Sequence, residues 1–347
     1  MQRQEAKRVR VQIVAVPETA GSALYGMIDV LNAAGVLWDA LTSRPVGAPH
    51  FEIRIVSPDG ARFRCLNGIP VEPDCSLNAA PPADIVILPE LWLAVDDPME
   101  DRYAELMDWI RRRYSDGAFI YSACSGAVMM AASGLLKGRE ATSHWAYQDM
   151  FRARFPETTF RPEPNLVFAE PTGRIVTAGG TTSWHDLAIH IIARHCSPEE
   201  AVRIAKVYLL KWHNEGQAPY TSLVRYRPHA DAAVRRVQDW LADHFSEADA
   251  LSRAVQVSGV PERSLKRRFK AATGSTLISH IQNLRVEEAK RLLEGGAHAC
   301  EDVAPIVGYE NAAFFRRLFK RSTGLAPAQY RRMFQPVRKA AEAPAPA

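Results

Sequence analysis

Two domains of different class are predicted: an α/β sandwich with a mainly parallel sheet, then an all-α domain carrying two helix-turn-helix motifs. Three observations predict this. Through the first two hundred residues, short apolar runs alternate with amphipathic stretches. That is the pattern of parallel strands covered on both faces by crossover helices. From Asp231 to Phe334 no convincing strand pattern remains. Within that second part, one basic stretch repeats at an offset of 50 residues.

The elements follow in order. Val9 to Val16 (VRVQIVAV) is an apolar strand, and residues 22–34 place Leu24, Met27, Ile28 and Leu31 at helical spacing. Phe51 to Val56 and Asp84 to Leu88 are further strands, and 100–114 is an amphipathic helix. AFIY at 118–121 is a strand that runs into a helix-like stretch from Ser125 to Leu136. Strands are expected near Asn165 to Phe168 and Arg174 to Thr177, and helices over 183–195 and 198–212. Residues 214–230 combine Gly, two Pro and polar residues, which marks a linker. The expected division is therefore 1–213, a linker, 231–335, and an Ala/Pro-rich disordered tail over 336–347.

Composition narrows the class. Apolar residues make up 47% and charged residues 24% of 347, as in an ordinary folded protein. No run approaches the length of a membrane span, and the N-terminus lacks an apolar signal core. The cysteines, at 65, 75, 124, 196 and 300, are odd in number, widely spaced and free of C-x-x-C pairs. Neither a disulfide framework nor a zinc site fits, so a cytoplasmic chain without metal or cofactor is expected. The net charge of +4 conceals an asymmetry. Residues 231–339 hold 19 Lys and Arg against 12 Asp and Glu, whereas residues 1–230 hold 24 against 26. A polyanionic partner for the second part alone is implied.

The repeat gives that partner a shape. SLKRRFKAATG (Ser264 to Gly274) aligns with FFRRLFKRSTG (Phe314 to Gly324). Each copy follows a Gly, at 259 or 308, and each Gly follows a short helical pattern, Leu251 to Val257 or Val303 to Val307. Helix, tight turn and helix make a helix-turn-helix. In the first copy Leu265, Phe269 and Ala272 share an inward face, opposite Arg263, Lys266, Arg267 and Lys270. In the second, Phe315, Leu318 and Phe319 point inward, opposite Arg316, Arg317 and Lys320. A lone basic helix reads as well as a solvated face. Two copies with matching turn and core positions favour insertion into double-stranded DNA, with Ser264, Asn311 and Ala313 added to the contact set.

Residues 233–334 resemble the AraC/XylS DNA-binding domain, including the connecting stretch HIQNLRVEEAKRLLEGG and the signature EDVAPIVGYENAAFFRRLFKRSTGLAPAQYRR. The resemblance implies two helices entering successive major grooves of promoter DNA. Pro305 falls early in its helix, where proline is tolerated.

In the first part, SACSGA at 122–127 sits between a strand and a helix, the setting of a nucleophile elbow. A tight turn there exposes Cys124, and the following helix N-terminus favours thiolate and anions. The plain alternative is a small buried cysteine. Residues 9–213 resemble the PfpI/ThiJ class I glutamine-amidotransferase-like domain, of flavodoxin-like fold. ACSGA, GLLKGREATSHW and the later RFP resemble the version found in GlxA-type regulators, as does EGQAPY at 215–220. Ser125 stands where PfpI-type hydrolases have His, and Ala23 where the superfamily has an acid, with Glu18 displaced nearby. A thiol without base or polarising acid is a weak nucleophile, so no catalytic residue is assigned. A working cysteine hydrolase or amidotransferase-like enzyme is the rival reading.

The expected role of this pocket is sensing. Amides of Ser125 and Gly126 are placed against a carboxylate, with His144 and Trp145 beside Cys124. Trp92 and Trp184 are candidates for the same edge, where aromatic faces suit cations; singly, each tryptophan reads as core. His185 and Asp186 are adjacent on a helix and read as structural. The effector class expected by resemblance is an amino acid or quaternary amine. A second copy of the chain and RNA polymerase are the other expected partners.

Overall fold

The computed structural model describes residues 8–94, 97–224 and 229–342, with side chains as far as 336. The chain divides into two compact units, one ending at Gln217 and the other beginning at Ala218.

The first unit is built on a seven-stranded sheet. Its strands are β1 (Val9–Val14), β2 (Phe51–Ser57), β3 (Cys75–Ser76), β4 (Ile85–Leu88), β5 (Phe119–Ser122), β6 (Leu166–Phe168) and β7 (Ile175–Ala178). The order across the sheet is β6-β7-β5-β4-β1-β2-β3. All pairs are parallel except β6 with β7 at one edge. Both faces are buried, and the alternation of side chains sorts them. Ile13, Ile85 and Ile87 pack with Leu24, Met27 and Leu31 of helix α1 (Gly21–Ala33). Val14, Val86 and Leu88 pack instead with Trp109 and Ile110 of α2 (Ala104–Ser115) and Val128 and Met129 of α3 (Gly126–Ala132). Helices α4 (Trp184–His195) and α5 (Pro198–Val207) complete the first layer.

The expected helix over 198–212 stops at Val207, and Leu209 adopts a left-handed φ of 55°. The expected 100–114 helix is broken at Tyr103, with a short helix over Met99–Arg102 before α2.

Among its described residues the second unit has helices and no strands: after a short 3-10 turn come α6 (Ala232–His244), α7 (Ala250–Ser258), α8 (Glu262–Thr273), α9 (Leu277–Gly295), α10 (Val303–Ile306), α11 (Ala312–Thr323) and α12 (Pro327–Glu342). Two cores lie side by side. Val234, Leu241, Leu265 and Phe269 form one, and Val303, Phe315, Phe319 and Tyr330 form the other. α9 serves both, giving Leu277 and Ile281 to the first and Val286, Ala289 and Leu293 to the second. Between these sets lies buried Arg285, which donates to the carbonyls of Phe245 (2.7 Å), Glu247 (2.7 Å) and Gly308 (2.9 Å). One cation thus brackets the end of the first core to the turn of the second.

The segment read as a linker is not uniform. Glu215 to Gln217 belong with the first unit. Thr221 to Leu223 are tied to α9: Lys290 donates to the Thr221 carbonyl at 2.6 Å, and Glu287 and Asn283 hold Leu223 at 2.8 and 3.0 Å. Residues 225–228 of the expected linker lie outside the described residues, as do 343–347 of the expected tail. α12 continues to Glu342, into residues read from composition as disordered. Its arginines, glutamines and alanines are good helix formers, and the Ala-rich stretch extends them.

Candidate functional site

Two places concentrate chemistry. The first is the elbow joining β5 to α3. Cys124 has a left-handed φ of 51°, the strained turn that the small residues around it allow. Gly126 is required here: a Cβ would stand 2.1 Å from the Leu88 carbonyl oxygen, because the elbow closes against the end of β4. The turn does not expose the thiol. Cys124 is 2% exposed, and burial, reinforced by nearby Glu90, pushes its pKa up to about 12. The expected thiolate is therefore corrected: desolvation outweighs the helix N-terminus and the Ser125 amide that faces the sulfur.

The expected carboxylate cradle is corrected too. The Gly126 amide donates to the Ala123 carbonyl at 2.9 Å. The Ser125 hydroxyl is buried, accepts from the Leu91 amide at 2.7 Å and donates back to the Leu91 carbonyl. These groups lock the elbow to the chain after β4 and leave no amide pair for an anion.

What faces the sulfur is an acid. Glu90, just beyond β4, is 5% exposed and touches Cys124, and its carboxylate accepts the Thr181 hydroxyl at 3.1 Å. Burial raises its pKa, against the thiol and hydroxyl that donate to it. An acid beside the thiol is thus present just beyond β4, not at Ala23 or Glu18, and it raises the thiol pKa rather than lowering it. Glu18 instead binds Arg102 and accepts the Tyr103 hydroxyl at 2.8 Å.

Above the elbow is an open cleft of about 350 Å³, lined by Glu90, Trp92, Cys124, His144, Tyr147 and Thr181 among others. The expected Trp145 is not among its lining residues; Trp92, 64% exposed, and Tyr147 supply the aromatic faces. Trp145 packs at a tilt against His144, with ring centroids 5.0 Å apart, and its amide donates to Gln217 Oε1 at 3.2 Å. His144 Nδ1 accepts from the Ala146 amide at 3.1 Å. Trp184 lines a different cleft, packed on Gly26 and against His185. Asp186 turns away from His185. It holds His213 Nδ1 at 2.9 Å, which raises the His213 pKa, and accepts from Asn165 at 2.5 Å.

Gln217 was not singled out from sequence. It is 3% exposed, and its amide donates to Thr142 Oγ1 and the Ser143 carbonyl at 3.1 and 3.0 Å. Ser143 in turn donates to the Cys124 carbonyl at 2.7 Å. The last residue of the first unit is thus wired to the wall of the cleft.

The second place is the pair of basic helices. α8 buries Leu265 and Phe269 and exposes Arg263, Lys266, Arg267 and Lys270, with Ser264 half-buried. α11 buries Phe315, Leu318 and Phe319 and exposes Asn311, Ala313, Arg316, Arg317 and Lys320. Lys266 pairs with Glu262 at 2.5 Å, and Asn311 caps α11 by accepting the Phe314 amide at 2.9 Å. Arg268 faces inward, to Asp231.

Comparison with known proteins matches both places. Residues 34–194 match the DJ-1/PfpI family, and residues 254–333 match a helix-turn-helix domain family. The chain is 27% identical over 286 residues to the HTH-type transcriptional regulator CdhR of Pseudomonas aeruginosa, covering 82% of each. It is 27% identical over 227 residues to the HTH-type transcriptional regulator GlxA of Rhizobium meliloti, covering 64% of this chain and 68% of that one. An isonitrile hydratase of Pseudomonas putida is 28% identical over 169 residues, 49% of this chain and 68% of the enzyme.

Proposed function

We propose that this chain, a DJ-1/PfpI domain joined to an AraC-type helix-turn-helix domain, is a transcription regulator whose DNA binding answers to a small metabolite held over Cys124. The observation that carries the reading is the pairing of two exposed basic helices on matching cores with an inward-turned, poorly nucleophilic elbow. Arg263, Ser264, Lys266, Arg267 and Lys270 contact one major groove, and Asn311, Ala313, Arg316, Arg317 and Lys320 the next. The effector lies against Cys124, His144 and Tyr147. It acts by binding one arrangement of the chain better than another. Gln217 supports a route: it is bonded to the cleft wall, and four residues later the chain is held by Lys290 on α9. The protein works as a homodimer in the cytoplasm, with promoter DNA and RNA polymerase as partners.

Footprinting on promoters adjacent to its own gene tests this. Protection should appear at nanomolar protein, select sequence and weaken steeply with salt. Absence of selective protection at any salt concentration sinks the reading.

A second reading is favoured by Glu90 beside Cys124 and by the isonitrile hydratase match: a cysteine-dependent enzyme with an accessory DNA-binding part. A thiol that burial and the neighbouring Glu90 push up to about 12 argues against that. Cys124→Ala separates the two. As a regulator, the variant keeps DNA binding and wild type turns over no isonitrile, amide or peptide; as an enzyme, wild type turns these over and the variant does not.

A further inference from the structure

We propose that the cleft over the elbow selects a ligand whose cationic nitrogen still carries hydrogen, a primary ammonium or a guanidinium, which donates to Glu90. This rests on the reading of that cleft as the effector site, and it narrows the effector's chemistry.

One acceptor in this cleft is met only by a hydroxyl and a weak thiol donor. Glu90 is 5% exposed. Its Oε1 takes the Thr181 hydroxyl, and its backbone carbonyl takes the Ala20 amide at 2.9 Å. Its Oε2 is buried and takes no hydrogen bond from a nitrogen or oxygen donor among the described residues; the Cys124 thiol, a weak donor, is what faces the carboxylate there. Buried carboxylate oxygens are rarely left so, because a lost hydrogen bond there is not repaid by water. The groups next to it cannot supply the missing charge. No lysine or arginine is among the described residues lining the cleft. Arg102, further along the chain, binds Glu18 and Asp97. The Cys124 thiol keeps its proton and adds no positive charge.

The rest of the wall does not choose between kinds of cation. Trp92 and Tyr147 offer π-faces that attract a trimethylammonium or a primary ammonium alike. Glu90 does choose. A trimethylammonium presents only C–H groups, which hold its charge back from the oxygen and make no strong hydrogen bond. An N–H donor makes a short, charge-assisted bond to carboxylate, and such bonds are about twice as strong as neutral ones. The quaternary amine expected by resemblance is therefore the poorer fit.

The test is calorimetric titration of the full-length protein with matched pairs: ethanolamine and choline, 4-aminobutyrate and its N-trimethyl derivative, putrescine and its bis-trimethyl derivative. In at least one pair, the N–H member should bind about tenfold or more tightly. Glu90→Gln should abolish that preference while thermal unfolding of the unliganded protein stays near wild type. Three results overturn the proposal: trimethyl members equal or better in every pair that binds, no binding by any member, or a preference that survives in Glu90→Gln. The wild-type pairs decide the matter even if the variant is unstable. Footprinting without amine keeps the regulator reading separate. Selective DNA protection alongside a failed amine panel removes only this inference, whereas amine binding without any change in protection removes only the effector role.

Discussion

The two helix-turn-helix copies share a scaffold and differ in how they manage charge and space. Thr273 and Thr323 make the same bonds, to the carbonyls of Phe269 (2.8 Å) and Phe319 (2.9 Å), and each helix ends on a left-handed glycine, Gly274 or Gly324. The outward faces diverge. On α8, Lys266 is drawn to Glu262 and Arg268 to Asp231. α11 carries no acidic residue at all. The turns diverge too. A Cβ on Gly259 would meet nothing closer than 3.9 Å, whereas on Gly308 it would stand 2.1 Å from the Ser246 carbonyl oxygen. The repeat thus preserves what folds a copy and varies what a copy presents. The second copy is the more tightly seated and the less restrained in its cations.

The largest expected effect tests the seating. Gly308→Ala should cost about 3 kcal/mol or more in urea unfolding, since backbone must move and φ is 88°. Gly259→Ala should cost only about 1 kcal/mol, the left-handed penalty alone. Equal losses would remove the distinction between the turns. Next come the cations. Arg317→Ala and Arg267→Ala should each weaken operator binding by about 1–3 kcal/mol if they read bases. Because α11 lacks a competing acid, the Arg317 variant should show the greater loss, and unchanged binding in both would place the contact face elsewhere. The smallest effect is one of pH. Arg268 and two helix amides hold the Asp231 carboxylate down to about 2, from an ordinary 3.8. The folded value lies below the unfolded one, so this stabilisation is complete above about pH 4 and is lost as pH falls through 2. Hydrogen exchange at pH 5 and pH 3 should therefore show the α6–α8 core loosening before the α9–α12 core, and Asp231→Asn should erase the difference.

The fold was largely legible because its signals are periodic. Buried parallel strands read as apolar runs, and the duplicated Phe, Lys, Thr and Gly positions reported both cores. The elbow was legible from small residues, since Gly126 admits no side chain. Its chemistry was not. Whether a strand-to-helix cysteine is thiolate depends on desolvation, which the surrounding fold sets and which leaves no mark in SACSGA. Glu90 escaped because it lies in PELW, 34 residues before Cys124, where no motif ties it to the sulfur. Trp145 and Trp92 are equally apt by type, and only the path of the chain decides which one lines the cleft. Gln217 looked like linker because its role is made entirely of long-range hydrogen bonds.

Arg285 gives the operator a length. Its three bonds join the end of α6, the chain beyond it and the turn before α11 across the buried helix that both cores share. On the proposed reading, the two basic helices are therefore graduations on one rigid rule, and the DNA must match their interval. Inserting five base pairs between the half-sites, about half a turn of the duplex, would carry one half-site to the far side of the helix. Inserting ten would restore the face but not the distance.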